Sequence, residues 1–121
     1  MLKRHHISIK NAFNGVKWAF RTQPNYKVHL FFSLLSLIAA WYLNISYIEI
    51  IIIIFLIIIG FVIETINTGI EATTDAIDRQ IREDIKIAKD VSAASMLIYS
   101  FGASLIAAFI FIPKIIELLK F

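Results

Sequence analysis

The sequence predicts an all-α integral membrane protein, with an N-terminal amphipathic surface helix followed by three transmembrane helices. Three observations carry that prediction. The 121 residues are 59% hydrophobic, with a mean hydropathy of +0.76. A soluble domain of this size could not hide so much apolar surface, so lipid must be the solvent for most of its length. Three long apolar runs alternate with polar segments. The charges, finally, are unevenly spread. Lys3, Arg4, Lys10, Lys17, Arg21 and Lys27 come before or at the start of the first run, with no acid before Glu49. Arg79, Arg82, Lys86 and Lys89 separate the second run from the third, whereas the turn from Asn44 to Glu49 has no cation. The positive-inside rule then puts the N-terminus and the second connection in the cytoplasm and the C-terminus outside, with Lys114 and Lys120 a minority against it. The length allows one domain, 1–121. The absence of cysteine excludes a disulfide framework and a thiolate metal site. The N-terminus does not read as a secretory signal, because its basic segment is too long and no small-residue cleavage site follows the first apolar run.

The surface helix is expected over 7–22. Ile9, Phe13, Val16 and Phe20 share one face, and Lys10, Asn14, Lys17 and Arg21 follow the same spacing about 100° round. Trp18 lies opposite the apolar stripe, either as an interfacial anchor or packed on another helix. The helix itself is either a plain anchor or a contributor to an active site. Pro24 breaks it and turns the chain into the bilayer. The first span runs from about 27 to 43, with Trp41 and Tyr42 as an outer aromatic belt. His29, near its start, reads as an interfacial histidine rather than a ligand. A short turn, Asn44-Ile-Ser46, makes the first two spans an antiparallel hairpin.

The second span is expected over 48–77. Its start is nearly all isoleucine, a strand former by propensity, but an isolated strand in lipid leaves its backbone unsatisfied, so helix prevails. From Ile50 to Ile77 such a helix is about 42 Å long, more than the ~30 Å hydrocarbon core. Its last turns therefore reach the cytoplasmic surface. Gly69 and Ala72 offer a flank for close helix contact. A loop charged in both signs leads to the third span, 91–112, which opens on the small residues Ser92, Ala93, Ala94 and Ser95. Pro113 is expected to end it, leaving a short amphipathic tail.

The chemistry is concentrated in Glu64-Thr-Ile-Asn67-Thr-Gly-Ile-Glu71-Ala-Thr-Thr-Asp75. Glu64, Asn67, Glu71 and Asp75 are three, four and four residues apart, which confines them to a sector of roughly 60–80° on a helix. Ionisable groups at this depth are costly and rarely face lipid. Such a stripe suits a divalent cation and a proton acceptor. The plainer alternative is packing glue between helices, about 0.6 kcal/mol per polar group. It suits Thr65, Thr68, Thr73 and Thr74 better than the acids. Lys89 and Asp90 also fit an ordinary solvated helix start, with Asp90 where the helix dipole favours an anion.

The three spans, the surface helix, Glu64-x-x-Asn67-Thr-x-Ile-Glu71-x-x-x-Asp75 and Lys89-Asp90 together resemble the bacterial diacylglycerol kinase and undecaprenol kinase family over nearly the whole chain. The resemblance implies a homotrimeric inner-membrane enzyme that moves the γ-phosphate of ATP, as its Mg²⁺ complex, onto the hydroxyl of a membrane lipid alcohol. It implies Glu64 as general base with Asn67 beside it, Glu71 as a ligand of the metal on ATP, and Lys89 and Asp90 as nucleotide and phosphate contacts. The implied partners are ATP, the lipid alcohol and further copies of the chain, with no nucleic acid among them. Phosphoryl transfer needs mainly positioning and cancellation of charge, which such a set supplies.

One departure stands out. Where the family usually has a glutamate, at the turn before the first span, this chain has Gln23, and no acid precedes Glu49. A glutamine carbonyl can ligate Mg²⁺, but without charge. Asn25, His29, Asn67-Thr68 and Lys86-Ile-Ala-Lys89-Asp90-Val lean toward the undecaprenol branch rather than the diacylglycerol branch. Two alternatives compete with a kinase. A small ion- or proton-coupled transport subunit would need polar residues at several depths, and spans one and three have no acid or base at their centres. A catalytically weakened structural relative rests on Gln23 alone.

Overall fold

The computed structural model describes residues 2–78, 80 and 82–120, with side chains from residue 7 onward. Arg79, counted above among the cytoplasmic cations, lies outside the described residues, as do the side chains of Lys3 and Arg4. The chain forms four helices: α1 (Leu2–Thr22), α2 (Pro24–Tyr42), α3 (Tyr47–Ile77) and α4 (Glu83–Leu119). α1 and α2 meet at Gln23, whose extended backbone (φ −99°, ψ 115°) caps α2, with Pro24 in the first turn. There a proline costs no hydrogen bond, because the first amides of a helix have no internal acceptor.

α2 and α3 are joined by the short turn expected, in which Asn44 takes a positive φ of 51°. Ser46 then starts α3 with a capping box. Its hydroxyl accepts from the Glu49 amide at 3.3 Å, and its own amide donates to Glu49 Oε2 at 2.6 Å. The reciprocal pair satisfies amides that the helix start would otherwise orphan.

α3 and α4 are long and apolar enough to cross a membrane. With 31 and 37 residues they are about 46 and 55 Å long, so both overshoot a ~30 Å hydrocarbon layer. Few apolar side chains are buried within the chain, and Phe31, Ile38, Phe55, Ile58, Leu97, Phe101 and Phe109 are among the many exposed ones. In water that surface would be untenable. Facing lipid it is ordinary.

α3 is the central element, packing most extensively on α4 and then on α2. At the turn end the core consists of Ala40, Ile45, Ile53 and Ile110, flanked by Ile50, Ile57 and Phe111. At the other end Phe20 of α1, Tyr26 of α2 and Phe61 of α3 stack, with ring centroids 4.9–5.8 Å apart. This aromatic knot fastens the α1–α2 corner to α3.

Three expectations are corrected. α4 begins at Glu83, so the charged connection expected up to Asp90 ends at Arg82, and Lys89 and Asp90 lie inside the helix and not at its start. α4 does not stop at Pro113 but runs on to Leu119. Proline removes one amide and crowds the carbonyl four residues back. The rest of the ladder survives, and the apolar Ile115, Ile116, Leu118 and Leu119 continue it. The close-contact glycine is Gly60, not Gly69: a Cβ on Gly60 would lie 2.6 Å from the Tyr99 hydroxyl, whereas one on Gly69 meets nothing within 4 Å. The Tyr99 hydroxyl donates to the Leu56 carbonyl, which binds α4 to α3 at this depth.

Candidate active site

α3 is uninterrupted apolar sequence from Ile50 to Ile63, and its first acid after that run is Glu64. Here α3 is enclosed by the α1–α2 corner on one side and α4 on the other. Glu64 is only 1% exposed. The Asn25 side chain, in the first turn of α2, reaches it, yet Oε2 has no hydrogen-bond partner among the described residues. An unpaired buried polar atom costs about 1–3 kcal/mol, so a fold that keeps one holds it for something absent from the free chain.

One turn further, Asn67 is buried and held from two sides. Ser92 Oγ of α4 donates to its Oδ1 at 2.7 Å, and its Nδ2 donates to Glu71 Oε1 at 3.3 Å. Asn67 therefore steadies Glu71 and ties the stripe to α4. Asp75 is also turned toward α4, in an ion pair with Lys89. Asp90 is exposed, 3.9 Å from Lys86. Arg82 pairs with Asp84 at 2.7 Å, and that hydrogen bond holds the Asp84 carboxyl below its ordinary range. Gln23 is half-buried at the α1–α2 corner and makes no side-chain capping bond.

The stripe of acids is thus real but is not a cage. Among the described residues no three carboxylate or imidazole groups converge on one point. Glu64 and Glu71 are seven residues apart, about 10.5 Å along the axis, and Asp75 is engaged by Lys89. What remains suits a cation that brings most of its own ligands, as Mg²⁺ does when it arrives on phosphates with water and takes one or two carboxylates.

Alongside the membrane part of α3 lies an apolar cavity of about 500 Å³ between α2, α3 and α4. Ser36 and Ala39 line one wall and Ala103 and Ala107 another, with His29 and Tyr99 at the end nearer Glu64. His29 packs against Phe61, three residues before Glu64, with ring centroids 6.0 Å apart and the rings tilted at 51°. On α3 the cavity is lined as far as Ile57, seven residues before Glu64, which does not itself line it.

Spacing singled out Glu64, Asn67, Glu71 and Asp75, and the fold gives them a common face. It missed Ser92 as the partner of Asn67, Tyr99 as the lock on Gly60, and Tyr26, almost fully buried with its hydroxyl on Thr65. The small-residue run at Ser92 was the only signal for the first. The glue reading fits Thr65, whose hydroxyl meets Tyr26 of α2 as well as its own Phe61 carbonyl, whereas Thr73 and Thr74 bond to their own backbone and Thr68 has no partner among the described residues.

The profile of the prokaryotic diacylglycerol kinase family matches residues 10–111, a segment that contains every site residue from Gln23 to Asp90. The chain belongs to that family. A diacylglycerol kinase of Synechocystis sp. is 27% identical over 114 residues, which are 93% of this chain and 65% of that protein. The undecaprenol kinase of Bacillus subtilis is 32% identical over 114 residues, 94% of this chain and 93% of the relative. The chain thus spans about two thirds of the first relative and nearly all of the second. The family is one of lipid kinases, and membership disfavours a transport subunit. Together with the two long apolar helices it supports a membrane location.

Proposed function

We propose that the chain is a membrane lipid kinase that transfers the γ-phosphoryl group of ATP, with Mg²⁺, to the hydroxyl of diacylglycerol or undecaprenol. The observation that carries this is Glu64: buried, with one carboxylate oxygen unpaired among the described residues, in a chain of this family. The lipid chain lies along the cavity and its hydroxyl meets Glu64 Oε2. Glu64 accepts the hydroxyl proton as the lipid oxygen bonds to the γ-phosphorus. The bond from that phosphorus to the bridging oxygen breaks, and ADP leaves. Asn67 keeps Glu71 oriented.

Glu71, with Gln23 as a neutral second donor, would hold the Mg²⁺ carried by ATP, which cancels phosphate charge when bound. Lys89 pairs with Asp75, one turn beyond Glu71 on α3; phosphate oxygens compete for the same ammonium. Asp90 contributes from the same turn of α4. Undecaprenol has the more support of the two lipids, through the lean at Asn25 and His29 and the full-length relative of that name.

α2 is the third span, its polar first turn in the headgroups and Trp41 and Tyr42 in the outer interface. α1 lies on the cytoplasmic surface, with Ile9, Phe13 and Val16 unburied within the chain and free to enter the interface. The single domain, 1–121, sits in the bacterial inner membrane, N-terminus cytoplasmic and C-terminus outside. It works as a homotrimer, because three spans leave too few walls to enclose nucleotide, metal and lipid together. Native mass measurement in detergent that found active monomers would refute the trimer.

The deciding experiment is ATP turnover by the purified chain in mixed micelles, with and without each lipid alcohol. Turnover should require a lipid alcohol and Mg²⁺. Glu64→Gln should lower it by about 10²–10⁴-fold while assembly is unchanged. A folded Glu64→Gln protein within a few-fold of wild type would remove Glu64 from the role of base.

A further inference from the structure

α3 contains four threonines, and three of them behave as threonines in helices usually do. Thr65, Thr73 and Thr74 each return the hydroxyl to the carbonyl four residues earlier, at 2.6, 2.8 and 3.0 Å. Such back-bonding satisfies the group within its own helix. Thr68 does not. It is 6% exposed, and its Oγ1 has no hydrogen-bond partner among the described residues. The Glu64 carbonyl that it would ordinarily use stands one turn back, so the free hydroxyl is not forced by a lack of acceptors.

Its position explains what that hydroxyl is for. Taking Glu64 as zero, Asn67 lies about 60° to one side, toward Ser92 of α4, and Thr68 about 40° to the other. Along the axis Thr68 lies between Glu64 and Glu71. The only other buried side-chain atom left unpaired among the described residues is Glu64 Oε2, one turn away. Two unpaired buried oxygens in adjacent turns of one helix are a proton acceptor and a hydroxyl donor waiting for the same visitor.

We propose that the Thr68 hydroxyl donates a hydrogen bond to a non-bridging oxygen of the phosphoryl group in transit. This rests on the kinase reading, in which Glu64 meets the attacking lipid hydroxyl and Glu71 the nucleotide's metal. The transferring phosphorus must pass between those two, at the level of Thr68. A donor fixed before the reaction and aimed at oxygens that gather charge stabilises the transition state more than the ground state. No covalent step is asked of Thr68, and it keeps its proton throughout.

The test is Thr68→Val, which keeps the shape and removes the hydroxyl, beside Thr68→Ser, which keeps the hydroxyl. Thr68→Val should lower kcat by about 10²–10³-fold, the usual effect of removing one such donor. The KM for lipid should stay unchanged, and the drop should be the same with diacylglycerol and with undecaprenol. Thr68→Ser should recover most of the rate. Thermal stability without nucleotide should be equal or higher in Thr68→Val, since an unpaired buried hydroxyl is replaced by a methyl group. Added ADP with orthovanadate, a phosphoryl mimic, should raise the melting temperature of wild type and Thr68→Ser but not of Thr68→Val. Three results would overturn the proposal: wild-type kcat in Thr68→Val, a loss confined to lipid KM with diacylglycerol, which would assign the hydroxyl to the lipid's ester oxygen, or a loss matched by lower stability without nucleotide. Should wild type itself turn over no ATP with either lipid, the kinase reading fails instead, and the vanadate shift still reports on Thr68.

Discussion

At the scale of single residues, Gln23 is the position where the resemblance leads one to expect a glutamate, and charge is what changes. Glutamate and glutamine are nearly the same size, so Gln23→Glu alters the donor set without altering the corner that α1 and α2 form. With Glu71 the only carboxylate proposed for the metal, half-saturation by Mg²⁺ should come at high concentration in wild type. Gln23→Glu should lower it several-fold. Superimposable Mg²⁺ titrations at fixed ATP would make Gln23 a bystander. The stripe that frames this site was legible because helical spacing alone puts Glu64, Asn67, Glu71 and Asp75 on one face. Thr68 was not legible. A threonine reads identically whether its hydroxyl folds back on the helix or stands free, and only the neighbouring side chains decide.

At the scale of elements, α3 and α4 approach closely at Gly60. Gly60 has no room for a Cβ because Tyr99 crosses there to reach the Leu56 carbonyl. Gly60→Ala should therefore destabilise the pair by about 1–3 kcal/mol, read as a lower midpoint in thermal or detergent unfolding. Tyr99→Ala should cost stability by itself, but the double variant should fall well short of the sum, since Tyr99→Ala removes the ring that the new Cβ at position 60 would strike. Additive losses would separate the two residues. The four helices were legible from hydropathy and turn residues, apart from their ends. Pro113 looks like a terminator because proline interrupts a helix locally, whereas continuation depends on the apolar residues beyond it. Gly69 looked like the contact glycine because sequence does not fix how far α3 is rotated about its own axis relative to α4.

At the scale of the whole molecule, the charge asymmetry makes a sharp prediction about orientation. The chain has no cysteine, so single cysteines placed at Lys10 and at Lys120 report without background. Membrane-impermeant thiol reagents should reach the second from outside intact cells and the first only after permeabilisation; the reverse pattern would invert the topology. Class was legible because composition is a global quantity. The position of the aromatic knot and of the apolar cavity was not, since both arise only when three helices meet. One consequence follows from the capping box at Ser46 and Glu49 combined with the great length of α3. The capped end anchors α3 near one face of the bilayer, and Glu64 lies eighteen residues on, about 27 Å along the axis. The distance from anchor to carboxylate is rigid, while the thickness of the lipid around it is not. A thicker bilayer draws Glu64 below the plane where lipid hydroxyls lie, and a thinner one lifts it above, at a modest energetic cost per ångström of mismatch. The chain is thereby a ruler with its chemistry at a fixed mark. Reconstituted into phosphatidylcholines of graded chain length, it should reach its highest rate at one intermediate thickness and fall away on both sides. A rate indifferent to thickness would mean that the substrate, and not the helix, adjusts its depth.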